Sequence, residues 1–420
     1  MTSPSIDPLT FPDIVDHIIP YLDSPQSLAH AARVCKAWNI LYTPALWRVV
    51  QYTCMNGTSP TFERHGALIR QLTVSHLDDY HLDLISPFCS HVESFVLWSN
   101  CVASAEKLAP YLRSIRPTLE RFVVNSTELR PEDVVSVLID DGVGGDAVVY
   151  LALMELKVKC FGRLTRLTLS WESLMMLLKA SPNLRTVRWE SLEILAPVDR
   201  SDQNGIHRLL GTITATEEGV GQEDKDVQLL EERTKISSLT LQSVMVSDKT
   251  LIQLLRKTPE LTYLDYSSLH PTGTGEVLGV LPTICPELKQ LIFMSDNLIP
   301  SRTSSQLFRP SAITNQSLSL KELFLGHCEL DDTSLDLLIS TQGSTLLEMS
   351  LWNCLPFTDS RAKAILSGCH CLTILYLYGD HTITLATQEG DEMNNLVEDA
   401  KRKGWTCHKA METFEVYGVE

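Results

Sequence analysis

The pattern that most limits how this chain can fold is apolar-x-x-apolar-x-apolar, and it returns along most of the length. It occurs at Ile69/Leu72/Val74, Val92/Phe95/Leu97, Leu119/Phe122/Val124, Leu164/Leu167/Leu169, Leu184/Val187/Trp189 and Ile236/Leu239/Leu241. It continues at Leu261/Leu264/Tyr266, Leu288/Leu291/Phe293, Leu320/Leu323/Leu325, Leu346/Met349/Leu351 and Leu372/Leu375/Leu377. Starts from Ile236 onward are separated by 25, 27, 32, 26 and 26 residues. The last two apolar positions of each copy alternate, as in a short strand with one buried face. No single copy has enough chain to cover its own apolar residues, so neighbouring copies must stack.

Between the copies lie amphipathic stretches with helix-start signals. Ser247 precedes Asp248 to Leu255, and Asp331 to Ile339 and Asp359 to Leu366 repeat the device. Strand, helix and parallel strand at a period in the twenties is the sequence sign of leucine-rich repeats. The expected fold is therefore α/β, a right-handed solenoid shaped as a horseshoe with parallel strands on its concave face. The later copies resemble cysteine-containing leucine-rich repeats at Cys285-Pro286-Glu287-Leu288, Leu325-Gly326-His327-Cys328, Leu351-Trp352-Asn353-Cys354 and Cys369-His370-Cys371-Leu372. The 45-residue gap from Leu119 to Leu164 leaves room for a degenerate copy.

Two regions depart from the period. Residues 197–233 hold nine acidic and four basic residues and read as an acidic loop inserted between repeats. Asp391 to Lys403 reads as a helix and Trp405 to Val419 as a last strand, together a C-terminal cap over 391–420. The repeats then occupy 65–196 and 234–390, with residues 1–50 left as a separate helical domain.

That first domain reads as three short helices. Phe11-Pro12 opens the first, whose apolar stripe is Ile14, Val15, Ile18, Ile19 and Leu22, and Pro20 is expected to tighten or end it. Asp23-Ser24-Pro25 starts a second, with Leu28, Ala31, Ala32, Cys35 and Trp38 on one face and Val34 beside it. Pro44 is expected to break the chain before a third segment at Leu46-Trp47. About 45 residues rarely form a self-sufficient core, so the apolar surface is expected to meet a partner or the following domain.

The ordered run Phe11-Pro12-Asp13-Ile14-Val15, Ile18-Ile19, Tyr21-Leu22, Ser27-Leu28, Arg33-Val34-Cys35-Lys36-Ala37-Trp38 and Leu46-Trp47-Arg48 resembles an F-box. Phe11 stands where that family usually has Leu, and Pro20 falls late in the first helix. The resemblance implies docking on a Skp-type adaptor, and through it on a cullin scaffold. It implies adaptor contacts for Phe11, Pro12, Ile14, Val15, Val34, Cys35 and Trp38.

Composition narrows the function further. The formal net charge is −17, which disfavours a general nucleic-acid or anionic-membrane role. No apolar run approaches the 18 residues of a membrane span, and Met1 to Thr10 has no basic leader, so a cytoplasmic or nuclear protein with reduced thiols is expected. Cys369-His370-Cys371 with Cys407-His408 is a poor match to zinc-ligand spacing, and no phosphate loop or nucleophile elbow is present. Neither a cofactor nor catalysis is expected.

Strand residues that flank the buried pair should face the concave surface. They include Arg121, Arg166 and Arg188, then Tyr263, Ile292, Met294, Phe324, Trp352, Tyr376 and Tyr378. Aromatic anchors on an exposed face mark partner sites, and arginines there suit an acidic or phosphorylated segment. The expected function is a non-catalytic substrate receptor of a ubiquitin ligase. The alternative is a repeat scaffold with no ligase.

Overall fold

The computed structural model describes residues 14, 17–22, 24–53, 59–99, 102–126, 129–139, 150–160, 168–195, 233–268, 275–311, 313, 317–354, 359–378, 405–410 and 413–418. The chain divides into two compact units, Met1–Leu164 and Thr165–Glu420.

The first unit begins with helical residues at Ile14 and His17–Ile18 that tighten into a 3-10 turn at Ile19–Tyr21. Pro20 sits inside that turn, as expected of a residue that removes a backbone donor. Helix α1 (Pro25–Ala32) starts where the sequence says, with Ser24 Oγ accepting from the Ser27 amide at 3.1 Å. The chain then turns at Arg33–Val34, and α2 (Lys36–Arg48) begins on Cys35, whose Sγ accepts from the Trp38 amide at 3.5 Å.

Two expectations fail here. Cys35 and Trp38 do not continue the face of α1, because α1 stops at Ala32 and they start a new helix. Pro44 does not break the chain; it lies inside α2. Pro44 and Ile40 are both exposed, so water can satisfy the Ile40 carbonyl that lacks its usual donor. The third segment is thus the end of the second long helix. Ala31, Ala32 and Tyr42 form a small core, with Ile19, Leu22, Leu28, Trp38 and Leu41 packed against it.

Helix α2 runs directly into β1 (Val49–Tyr52), which pairs in parallel with β2 (Gln71–Val74). The parallel order continues through β3 (Ser94–Ser99), β4 (Arg121–Ser126) and β5 (Glu155–Cys160). Helices α3 (Ser59–His65), α4 (Asp79–Ile85), α5 (Ala105–Ile115) and α6 (Pro131–Ile139) connect or flank these strands. Alternation sets the core: Leu72, Phe95, Phe122 and Leu156 align in one fully buried row. Val74, Leu97, Val124 and Val158 align in a second. Asp79 in the first turn of α4 accepts from both the amide and the hydroxyl of Ser104, which ties one repeat to the next.

β5 resolves the long gap. Its triplet is Leu153/Leu156/Val158, all buried, so a degenerate copy lies between Leu119 and Leu164. The copy assigned to Leu164/Leu167/Leu169 behaves differently. Leu164 and Leu167 lie outside the described residues. Leu169 belongs to the two-residue strand β6 (Thr168–Leu169), which pairs with β8 (Glu193–Ile194) away from the main sheet. Val158 and Leu164 are only six positions apart, too close for a repeat with its own helix between them.

In the second unit α7 (Trp171–Ala180) leads to β7 (Thr186–Glu190). A parallel run follows: β9 (Ser238–Gln242), β10 (Tyr263–Ser268), β11 (Gln290–Ile299), β12 (Glu322–Cys328), β13 (Glu348–Trp352) and β14 (Ile374–Tyr378). Helices α8 (Asp248–Lys257), α9 (Glu276–Ile284), α10 (Ser301–Ser304), α11 (Asp332–Gln342) and α12 (Asp359–Gly368) fall between them. Ser247 and Asp331 cap α8 and α11 through the Thr250 and Ser334 amides, at 3.2 and 2.8 Å. The buried Gln342 side chain accepts from the Leu320 amide and donates to the Leu318 carbonyl, so α11 is fastened to the entry of β12.

A shared backbone device recurs at or beside the ends of four strands, β7, β9, β12 and β13. Ser191, Ser243, His327 and Asn353 each adopt positive φ, between 50° and 61°. Each is followed by a buried residue: Leu192, Val244, Cys328 and Cys354. The left-handed residue turns the chain from the strand into the core.

The expected last strand is a hairpin. β15 (Trp405–Ala410) and β16 (Thr413–Gly418) pair antiparallel, and β16 also lies antiparallel to β14. The helix expected at Asp391 to Lys403 and nearly all of the acidic insertion lie outside the described residues. The fold is mixed α/β, a helical N-terminal segment followed by parallel-strand leucine-rich repeats.

Candidate interaction surfaces

Two surfaces concentrate the residues singled out by sequence. The first is on the helices of the first unit. Ile14 is exposed, Val34 is 63% exposed at the α1–α2 turn, and Cys35 is exposed at the start of α2. Trp38 differs: it packs on the small helical core, its ring 5.3 Å from Tyr42. Its first role is therefore to hold α1 against α2. Phe11, Pro12 and Val15 lie outside the described residues. Sequence reasoning overlooked Tyr21 and Ile40, which are 82% and 73% exposed. Ile40 was hidden because Cys35 and Trp38 were expected to continue the face of α1, whereas the turn at Arg33–Val34 starts α2 afresh and resets which side chains face outward.

This surface is fixed to the repeats rather than hung on a tether. The Arg48 carbonyl, at the end of α2, accepts from the Arg70 amide at 2.9 Å. The Trp47 ring stacks on His65 with centroids 4.5 Å apart and planes within 9°. Burial, then the neighbouring Arg64 charge, keeps the His65 imidazole below its ordinary pKa, which favours a neutral ring in the stack.

The second surface is the strand face of the second unit. Register places Arg188, Thr240, Asp265, Ile292, Phe324, Ser350 and Tyr376 in one cross-strand row. Glu190, Gln242, Ser267, Met294, Gly326, Trp352 and Tyr378 form the next row on the same side. Thr186, Ser238, Tyr263, Gln290, Glu322, Glu348 and Ile374 form a third. The expected residues of this unit therefore do converge on one face, except that Arg166 and the Tyr378 side chain lie outside the described residues. Arg121 lies on β4 of the first unit, with its Nε 3.1 Å from the Glu155 carboxylate.

The face changes character along its length. At its β7–β10 end Arg188 donates to Glu190 and, at 3.1 Å, to Gln242; Gln242 donates to Asp265 at 2.7 Å. Burial pushes the Asp265 carboxyl above its usual range, against the Gln242 hydrogen bond that holds it down. At the β11–β14 end Ile292, Met294, Phe324 and Tyr376 are half-buried and Trp352 is 46% exposed. Both described arginines are already paired within their own unit. On β4 and β5, burial opposes the charge on Glu155, but Lys157 and Arg121 together hold its carboxyl below the usual range. By register the expected aromatic and apolar residues share one strand face, and the two described arginines, Arg121 and Arg188, pair with acidic groups of their own units.

Among the described residues no group of three His, Cys, Asp or Glu side chains is placed to hold a metal ion, and no helix is long and apolar enough to cross a membrane. Cys369 is buried and Cys371 is exposed.

Residues 12–51 match the F-box-like family. That match covers the helical segment and ends inside β1. No curated protein sequence matches the chain. Among solved structures, the yeast Rad7–Elc1 complex contains a chain 14% identical with a TM-score of 0.41, covering 82% of this chain and 87% of that one. The Drosophila Toll–Spatzle complex contains one 13% identical with a TM-score of 0.34, covering 79% of this chain and 43% of that one. At these identities and scores the assignment of the fold rests on the strand register and the buried rows described above.

Proposed function

We propose that the chain is a substrate-recognition subunit of a Skp–cullin–F-box ubiquitin ligase. The observation that carries this reading is the F-box-like segment at 12–51, together with the exposed apolar residues Val34, Ile40 and Tyr21 on it. Apolar side chains this exposed are poorly used by an isolated chain and suit a partner helix or groove. A Skp-type adaptor would cover them and connect the chain to a cullin. The repeats would hold a target protein, and proximity to a charged conjugating enzyme would supply the rate enhancement.

No catalytic group is needed in this chain. Burial pushes the Cys285 and Cys354 thiols to about 12, which leaves almost no thiolate at neutral pH. Cys285, Cys328, Cys354 and Cys369 serve as core residues, and Cys354 Sγ lies 3.4 Å from the Leu325 carbonyl. Their positions suit the cysteine-containing class of repeats. A cytoplasmic or nuclear location follows from the same reading.

The test is affinity purification of the full chain from cells with the proteasome blocked. The adaptor, the cullin and ubiquitinated species should copurify, and all three should vanish with Val34→Asp. A purification that yields repeat-bound partners with no adaptor or cullin would establish the scaffold alternative instead.

A further inference from the structure

The strand face of the second unit carries more acid than the expected phosphate-binding role allows. On its three outward rows Arg188 is the one cation, against Glu190, Asp265, Glu322 and Glu348. Arg188 is committed to the β7–β10 end, where it pairs with Glu190. Glu322 and Glu348 lie directly opposite each other on β12 and β13. Adjacent strands are about 4.8 Å apart, and like charges placed opposite each other across a sheet are destabilising. Gln290 donates to Glu322 at 2.6 Å, but no described Lys, Arg or His pairs with either carboxylate. Burial and the neighbouring Glu322 push the Glu348 carboxyl upward, as two uncompensated acids on one surface require.

Beside this pair lies the apolar part of the face. Phe324 follows Glu322 by two positions on β12 and so points to the same side. Ile292 aligns with it on β11. In the next row a glycine separates Met294 from Trp352. A Cβ on Gly326 would sit 3.2 Å from Met294 Cγ, so the thioether lies across the glycine toward the Trp352 strand. Flexible thioether and exposed indole form a surface that adapts to a partner side chain.

We propose that this face binds a basic protein segment: a stretch whose Lys or Arg side chains meet Glu322 and Glu348 while a bulky apolar residue rests on Ile292, Phe324, Met294 and Trp352. The proposal rests on the receptor reading for its biological role, and it specifies the class of target that reading leaves open. A cation placed between the two carboxylates removes their repulsion, so the pair contributes to binding more than either acid alone. A phosphorylated or acidic segment is repelled by the same pair. The chain's own insertion at 197–233, with nine acidic and four basic residues, has the wrong sign to occupy the face.

The experiment is selection of a random dodecapeptide display library on the full chain, followed by binding measurements on the enriched peptides. Enriched peptides should carry two or more Lys or Arg around a bulky apolar residue. Their affinity should fall at least tenfold for Glu322→Gln/Glu348→Gln and for Trp352→Ala. It should be unchanged for Glu287→Gln/Asp336→Asn, an equal loss of charge on exposed residues outside these strands. The Gln variants relieve repulsion and so preserve the fold. No enrichment, enrichment of acidic or neutral peptides, or equal losses in the control variant would overturn the inference. Adaptor binding measured on the same preparation separates the two claims. Lost peptide selectivity with intact adaptor binding rejects this inference alone, and the converse rejects the receptor reading alone.

Discussion

At the scale of single residues, charges at strand and helix ends make opposite contributions. Asp331 caps α11, and its Ser334 hydrogen bonds hold the carboxyl below the usual range. A carboxylate whose folded pKa is depressed contributes stability above its unfolded value and loses it as pH falls through the folded one. Asp331→Ala is therefore expected to cost about 1 kcal/mol at neutral pH. The difference from wild type should shrink in acid, as thermal melts across pH 2 to 7 would measure. Glu348 has the reverse sign. Its folded pKa is raised by burial and then by Glu322, so its ionisation works against the fold at neutral pH. Glu348→Gln is expected to raise the melting temperature slightly, with a stability gain below about 1 kcal/mol because the group is only partly buried and solvent screens it. The gain should vanish below the unfolded carboxyl value and diminish in high salt. A lower melting temperature for Glu348→Gln would mean that the two acids are not in conflict.

At the scale of elements, the sheet was legible because its stabilising residues repeat. Alternation marked the strands, and Ser247 and Asp331 marked helix starts through side chains that do cap. Two features escaped. β5 was hidden because its triplet, Leu153/Leu156/Val158, is followed by Lys159-Cys160 and not by the turn seen in later repeats. α2 was cut short because Pro44 read as a helix breaker, whereas its exposed place in α2 lets water reach the carbonyl it orphans. The partner face was legible as to which residues point outward, since that follows from the period of two. Its charge was not, because pairing depends largely on residues brought close by the register of neighbouring strands: Glu155 beside Arg121 and Gln242 beside Arg188, with Glu190 completing the second set from the same strand. If β5 is a repeat strand in full standing, Leu156→Ala should cost as much as Leu323→Ala, about 2–5 kcal/mol each, since both side chains are fully buried. Denaturant unfolding of the two variants provides the comparison, and a small loss for Leu156→Ala alone would demote β5 to a loop.

At the scale of the whole molecule, the first unit joins anchor and repeats without a linker. α2 ends at Arg48, β1 starts at Val49, and Trp47 on His65 holds the junction. A target held by repeats in this unit would keep a fixed direction from the adaptor, whereas a tether would allow a range of positions. Inserting a flexible ten-residue Gly-Ser segment after Arg48 is expected to leave adaptor binding intact while lowering the rate of ubiquitin transfer in a reconstituted ligase. An unchanged rate would mean that the direct connection has no role in transfer.

The central claim is that the exposed apolar residues of the helical segment, and not its core, receive an adaptor. Calorimetric titration of purified full chain with a Skp-type adaptor tests it, alongside thermal melts of the same samples. Val34→Asp and Ile40→Asp should abolish measurable binding with melting temperatures unchanged. Trp38→Ala should lower the melting temperature of the helical segment as well as the affinity. Wild-type affinity in Val34→Asp and Ile40→Asp, or no binding by the wild-type chain, would contradict the account.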